Sequence, residues 1–263
     1  MKYKDFLKTI LVLAIPTAFQ KLITLLVVIA DNLMVSSYDK TGTAFAAVAQ
    51  ANVLTNLFIS ICMGLTSGGI VLISQFWGRK ENRRIVETSS MIVALSLVVS
   101  IVAISLIQFF PKQILSVVLN KSESDIISNA EIYLRIASTS YLPFAISTSI
   151  IAILKGIEIV KFSLISTLIA LISNIIFNYV LIFGIGGFPA LGIKGAALAT
   201  IISRVFECIF ILIYFFKKQK RIEYHISYLK FQSKSIWKNY MRFGLPVCLT
   251  DSQWAVVGMI KMS

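Results

Sequence analysis

Charged side chains are scarce in this chain of 263 residues: 14% are Asp, Glu, Lys or Arg, against about a quarter in ordinary soluble domains. There is one histidine, His225, and the three cysteines stand in apolar runs without the paired spacing of metal or redox sites. The sequence has no HExxH motif, no phosphate-binding GxxxxGK[ST] loop and no paired-aspartate motif. These shortages argue against a soluble domain and against an enzyme, and we expect no catalytic residues and no cofactor.

Apolar residues are abundant in the chain where charged residues are scarce. Apolar residues make up 57% of the chain, and the mean hydropathy is +0.84. A helix needs roughly 20 mainly apolar residues to cross a bilayer. Seven runs are of that order, at residues 9–35, 45–76, 86–110, 126–154, 162–183, 195–216 and 243–260. The sequence therefore predicts an all-α integral membrane protein in contact with the lipid bilayer, with a bend at Pro143 in the fourth run.

The net charge of +13 is spread between the apolar runs, which argues against a face that binds nucleic acid. If the N-terminus is inside, 17 Lys and Arg residues fall in inner segments and 4 in outer ones. Basic residues concentrate in cytoplasmic loops. We therefore expect a multi-pass protein of the cell membrane with a cytoplasmic N-terminus. Residues 1–216 would form a six-helix lobe, and residues 217–242 a cytoplasmic connection.

The seventh run is similar to the first. Pro246 follows Pro16 by 230 residues, with an aliphatic residue before each. Transporters are often built from two parallel repeats of several spans. Residues 243–263 are then a partial seventh helix that opens a second lobe. We expect a truncated chain, which a missing C-terminal lobe or a second copy would complete.

Asp31 is the first candidate for a functional residue, because it lies inside the first run. An acid within a membrane span is costly and is by default a sign of function. A bound proton or cation would switch its charge and with it the preferred conformation. The alternative is that Asp31 lies at the membrane interface and caps the next helical turn.

Asn174 and Asn178 are four residues apart, so they share one face of the fifth helix. Their amide oxygens suit a hard cation such as Na⁺; the alternative is that the amides only hold neighbouring helices together. Thr200, in the sixth run, either lends its hydroxyl to this site or donates it back to its own helix.

Other polar residues in the runs have structural interpretations. Arg204 and Glu207, three apart, are expected to form an ion pair. Lys21 lies near the middle of the first run, and the sequence identifies no partner for it. Packing or turn roles are expected for two prolines and two glycines: Pro16, Pro246, Gly184 in the outer turn after the fifth run, and Gly195 at the small-faced start of the sixth.

Four segments together match one family: AIPTAFQ with ADNLMV beyond it, GLTSGGIVLISQFWGRK, NIIFNYVLIFGIGGFPALGIKGAALATIISR, and RFGLPVCL. The chain resembles the N-terminal half of a multidrug and toxic compound extrusion (MATE) transporter. The resemblance implies a two-lobe, twelve-helix transporter that exports cationic, often aromatic, drugs in exchange for entering Na⁺ or H⁺.

The resemblance also implies that the first-lobe cation site uses Asp31, Asn174 and Asn178, with Thr200 beside them, and that Asp31 and Asn178 would be the Na⁺ ligands. Some members have an acid where this chain has Asn178, which leaves the choice between Na⁺ and H⁺ open. Two alternatives remain. One is a related lipid-linked oligosaccharide flippase or polysaccharide exporter, for which Lys21 and Arg204 would receive a diphosphate. The other is an inactive truncated product.

Overall fold

The computed structural model describes residues 3–39, 42–116, 124–224 and 233–250. Within those ranges all regular structure is helical. The helices are α1 (Tyr3–Tyr38), α2 (Thr43–Gly78), α3 (Asn82–Phe109), α4 (Pro111–Leu115), α5 (Ser124–Ser138), α6 (Tyr141–Gly156), α7 (Lys161–Phe183), α8 (Ile193–Ile213) and α9 (Lys234–Asn239). Single π-helical turns follow α8 and α9, at Tyr214–Lys218 and Tyr240–Gly244.

The described residues contain helices that are long and apolar enough for up to six membrane crossings. Five helices are each long and apolar enough to cross a bilayer: α1 from Ala14 onward, α2, α3, α7, and α8 with its π-helical turn. Helices α5 and α6 meet the same criterion together and are bent by 48° relative to each other, so we count them as one broken span. The prediction of an all-α membrane fold is confirmed.

The break between α5 and α6 has a local cause. Pro143 has no backbone N–H, and its ring crowds the carbonyl group four residues earlier, at Thr139. The helix therefore ends before Thr139 and starts again at Tyr141, which places the proline in the first turn, where it is tolerated. The hydroxyls of Thr139 and Ser140 donate back to carbonyl groups of α5, so the polar groups at the break are bonded.

Two clusters of buried apolar side chains hold the bundle together. One lies between α2, α5 and the start of α6 and includes Val48, Leu134 and Tyr141. The other lies between α2, α3 and the end of α6 and includes Ile92 and Ile153. Helices α1, α7 and α8 pack onto this core, and the polar residues of interest lie where they meet it.

Glycine is required where α7 turns back into α8. Gly184 ends α7 with φ of 73°, a left-handed conformation that closes many helices. A Cβ atom on Gly195 would lie 2.5 Å from the carbonyl oxygen of Leu181, so a larger residue would push α8 away from α7. These two glycines fix the contact that carries Thr200 and Arg204 toward the site.

The segment after α8 returns across the ends of α2 and α3. Ser90 of α3 and the hydroxyl of Tyr224 are 3.1 Å apart in a hydrogen bond, and the Tyr240 hydroxyl donates to the carbonyl group of Leu65 in α2 over 2.9 Å. A Cβ atom on Gly68 would lie 2.5 Å from the carbonyl oxygen of Gly244, so the two backbones are in direct contact. Pro246 lies in the helical stretch 245–250 that follows. The rest of the predicted seventh span, 251–260, and His225 lie outside the described residues.

Candidate functional site

Asp31 lies in the buried stripe of α1. Four of the α1 side chains that the structure describes are buried, and each follows the previous one by four residues: Ile23, Val27, Asp31 and Val35. This spacing keeps side chains on one helix face. The three apolar members of the stripe pack against the bundle and carry Asp31, which is 9% exposed, inside with them.

The facing stripe on α7 is made of small and polar residues. Asn174 and Asn178 are 1% and 0% exposed, and Thr167 lies on the same face, seven residues before Asn174. Two side-chain hydrogen bonds join α1 to α7. Gln20 donates to the Thr167 hydroxyl over 2.9 Å, and the Asn178 amide donates to the Asp31 carboxylate. Both bonds join residues 147 apart in sequence, so α1 and α7 run parallel and in register along the whole seam.

The Asn178 amide has two acceptors. Its Nδ2 donates to Oδ1 of Asp31 and also to Oδ1 of Asn174, at 3.2 Å. Two buried polar atoms beside them, Asn178 Oδ1 and Asn174 Nδ2, have no hydrogen-bond partner among the residues that the structure describes. The carboxylate and the amide oxygens are ligands that hard cations prefer, and the unpaired Asn178 oxygen leaves one of them available. The residues present therefore fit a small cation.

One carboxylate is in place at this site. The described residues contain no cluster of three or more His, Cys, Asp or Glu side chains that would hold a metal ion tightly. A single negative charge with neutral oxygens beside it suits a monovalent cation or a proton better than a divalent metal, which usually takes six or more ligands or several waters.

A cavity of about 60 Å³ opens beside Asp31. A buried water molecule requires about 15 Å³ of such free volume, so roughly four water molecules would fit. The polar groups that line it come from six helices and from the break between α5 and α6; they are Asp31, Asn52, Thr55, Asn56, Tyr133, Ser140, Tyr141, Asn174, Thr200, Ser203 and Arg204. Phe58, stacked on Tyr141 with ring centres 4.0 Å apart, forms part of the wall.

Thr200 makes the bond to its own helix that was one of the two alternatives considered from the sequence. Its hydroxyl donates to the carbonyl group of Ala196 over 3.1 Å, within its own helix. Its side chain also lines the cavity together with Asp31 and Tyr133. Thr200 thus contacts the cavity without contacting the carboxylate directly.

Arg204 and Glu207 form the ion pair that their spacing predicts. Nη1 of Arg204 lies 2.8 Å from Oε2 of Glu207, and the side chains are 14% and 4% exposed. The guanidinium group also lies over the Phe144 ring, 5.1 Å from its centre. Lys21, in contrast, is exposed on α1 and is not among the residues that line the cavity.

The sequence did not identify the side of the cavity opposite Asp31. Tyr133 donates to Asn52 over 3.4 Å, and Thr55 and Tyr141 are 3.1 Å apart in a second hydrogen bond. Three polar residues within five positions of an apolar run, Asn52, Thr55 and Asn56, are the signal that would have found this side. Asp31 itself caps no helix; that role belongs to Asp39, which accepts from the backbone N–H of Ala44 over 2.6 Å.

Comparison with known proteins now identifies the family. The sequence model of one family, described as MatE, matches residues 16–180. The chain belongs to the MatE family. The resemblance of its motifs to this family is confirmed, and the chain is a multi-pass membrane protein of a family of transporters.

Curated MatE relatives are about twice as long as the matched region. The chain is 30% identical over 219 residues to the uncharacterized transporter YisQ of Bacillus subtilis, covering 82% of this chain and 47% of the relative. It is 29% identical over 233 residues to the multidrug export protein MepA of Staphylococcus saprophyticus, covering 88% of this chain and 48% of the relative. The chain thus spans about half the length of the curated relatives it matches.

Solved structures show the same fold. A multidrug resistance MATE family transporter in an outward-facing conformation superposes with a TM-score of 0.79 at 21% identity, covering 93% of this chain and 52% of that one. A MATE crystal structure in a bent conformation gives a TM-score of 0.81 at 22% identity, covering 92% of this chain and 52% of that one. The arrangement of helices found here is therefore that of about half of a MATE transporter.

Proposed function

We propose that this MatE protein takes part in the export of cationic organic compounds in exchange for Na⁺ or H⁺ moving inward, and that Asp31 binds the coupling ion. The observation that carries the proposal is the buried Asp31 carboxylate, which Asn178 bonds directly and Asn174 bonds through Asn178. The name of the relative MepA, a multidrug export protein, supports the substrate class.

The chemistry of the site fits this role. An ionised carboxylate is unfavourable inside a membrane protein, and a proton or a cation removes that cost. The Asn178 amide stabilises the ionised form by donating a hydrogen bond to it, so the empty site remains accessible as well. Binding and release of the ion would then bias the protein between two conformations, and an exchanger needs such a bias.

The roles of the neighbouring groups follow from their atoms. Oδ1 of Asn178 has no hydrogen-bond partner in the described part of the chain and would face the ion, while its Nδ2 orients Asp31. Asn174 holds the Asn178 amide in place, and Thr200 would act through Tyr133 and water in the cavity. Na⁺ would use the oxygens as ligands, whereas H⁺ would need only the carboxylate.

Transport by alternating access would need a second lobe, because the curated relatives are about twice the length of the matched region. We propose that a C-terminal lobe or a second copy of the chain supplies it. On this proposal the protein lies in the cell membrane with its N-terminus in the cytoplasm.

The experiment that tests the function is export of ethidium from cells that lack their own exporters. Asp31→Asn keeps the shape and the hydrogen bond to Asn178 but removes the charge, so we expect ion-driven export to fall at least tenfold, about 1.4 kcal/mol or more of lost coupling. Glu87→Gln is the matched control, since Glu87 pairs with Arg83 on a surface turn of α3. Undiminished export by Asp31→Asn, at equal amounts of protein in the membrane, would refute the proposal.

Export of a lipid-linked diphosphate is less well supported. It would need positive charge available in the cavity. Arg204 is the only basic residue in the described lining, and its charge is already paired with Glu207. Lys21 lies outside the cavity lining.

A further inference from the structure

Two charged residues of opposite sign line the cavity, and a second acid pairs with one of them. Asp31 and Arg204 both line it, and Glu207 is ion-paired with Arg204 at 2.8 Å. All three are largely shielded from solvent. Charges in such surroundings are poorly screened, so each affects the energy of the others over several ångströms.

The charge of Arg204 is permanent and its position is fixed. An arginine side chain keeps its proton in proteins. The guanidinium group is held by Glu207 on one side and lies over the Phe144 ring on another. The three residues together carry one negative charge when Asp31 is ionised, and none when a proton or a monovalent cation neutralises it.

We propose that Arg204 is the fixed counter-charge of Asp31, shared with Glu207, and that it is a positioning residue which sets how tightly Asp31 holds its ion. This inference rests on the proposed role of Asp31 in binding the coupling ion. Arg204 attracts the ionised carboxylate and opposes a cation beside it. Glu207 offsets part of this field, so the balance of the two keeps the site able both to bind and to release.

Opposite effects of two substitutions follow from this balance. Arg204→Gln removes the positive charge, so a cation at Asp31 should bind more tightly. Glu207→Gln leaves the positive charge without its partner, so the cation should bind more weakly. Each change should shift the Na⁺ concentration for half-maximal thermal stabilisation by about tenfold, in opposite directions, because one unit charge within about 10 Å has an effect of that size at a partly buried site. A purely structural role would lower stability in both variants without this difference in sign.

The interaction between Arg204 and Asp31 is also measurable without any coupling ion. We would purify the whole chain in detergent and record unfolding temperatures in K⁺ buffer for wild type, Asp31→Asn, Arg204→Gln and the double variant. The change in unfolding temperature that Asp31→Asn causes should be more positive by roughly 2–4 °C in the Arg204→Gln background than in wild type. The reason is that the Asp31 carboxylate has lost its counter-charge in that background. Loss of the Arg204–Glu207 ion pair affects Arg204→Gln and the double variant alike, so it cancels when the effect of Asp31→Asn is taken within that background.

Further variants keep the test decisive. If Arg204→Gln fails to fold, Glu207→Gln replaces it and the expected sign reverses, because Asp31 is then the remaining acid for Arg204. Arg204→Lys should retain most of the interaction. Arg135→Gln is the control, since Arg135 pairs with Glu131 on α5 and does not line the cavity.

Two results would overturn the inference: equal effects of Asp31→Asn in all backgrounds, or shifts of the same sign for Arg204→Gln and Glu207→Gln. Absence of Na⁺ stabilisation in wild type would instead count against Na⁺ as the ion of the proposed function. The comparison in K⁺ buffer would still decide whether Arg204 and Asp31 interact.

Discussion

The seam between α1 and α7 contains two polar contacts that differ in kind. Gln20 with Thr167 and Asp31 with Asn178 join the same two helices at the same sequence offset, 11 residues apart, which is about three helical turns. The first contact is a neutral amide–hydroxyl bond that satisfies both groups. The second leaves a carboxylate charge and an unpaired amide oxygen inside the protein. The same arrangement of α1 against α7 can thus serve packing at Gln20 and, as proposed, ion binding at Asp31.

The difference shows what turns a structural hydrogen bond into a candidate binding site. Hydrogen bonds between membrane helices contribute little stability each, on average about 0.6 kcal/mol. A buried charge costs considerably more unless it is neutralised. The contact between Gln20 and Thr167 should therefore matter for stability alone. The contact between Asp31 and Asn178 should matter for ion binding, at some expense of stability.

The largest difference between the two contacts is expected in export, when the α7 side chain of each contact is replaced. Asn178→Leu removes both the bond to Asp31 and the proposed cation ligand, so ethidium export should fall at least tenfold, about 1.4 kcal/mol. Thr167→Val removes the hydroxyl at nearly constant volume and should leave more than half of the export. Equal losses in the two variants, corrected for protein in the membrane, would show that the two contacts do not differ in function.

A second carboxylate at the contact between Asp31 and Asn178 gives a further test of the comparison. Asn178→Asp places two acids side by side, so the Na⁺ concentration for half-maximal thermal stabilisation should fall about tenfold. The unfolding temperature without Na⁺ should fall too, because like charges repel. Titration of the purified protein with Na⁺ at constant ionic strength measures both. A higher Na⁺ requirement in this variant would contradict the assignment of Asn178 as a ligand.

The smallest expected effects are those on thermal stability from changes on α1. Gln20→Leu should lower stability by about 0.6 kcal/mol, close to 2 °C in unfolding temperature. Asp31→Asn replaces a buried charge with a neutral isostere and should leave the unfolding temperature unchanged or raise it. Thermal unfolding of the two variants in K⁺ buffer makes the comparison, and a large destabilisation by Asp31→Asn would assign Asp31 to packing.

Most of the fold follows from the sequence because membrane spans depend on local composition. The six crossings correspond to six of the predicted apolar runs, and the bend beside Pro143 follows from the missing N–H of proline. The short helix α4 was not predicted, since five residues after a proline carry no periodic signal. The seventh run stays a prediction beyond residue 250.

Only some residues of the candidate site could be predicted from the sequence. Asp31, Asn174 and Asn178 are conspicuous because polar groups are rare in such runs. Their meeting depends on the register between α1 and α7, which no local pattern determines. Tyr133 and Tyr141 were missed because tyrosines are ordinary in membrane helices, and only the break between α5 and α6 turns both toward the cavity.

The contact between Gly68 and Gly244 has a mechanical consequence. Two helices that touch through their backbones have no interlocking side chains at the point of contact, so they can change their crossing angle there with little repacking.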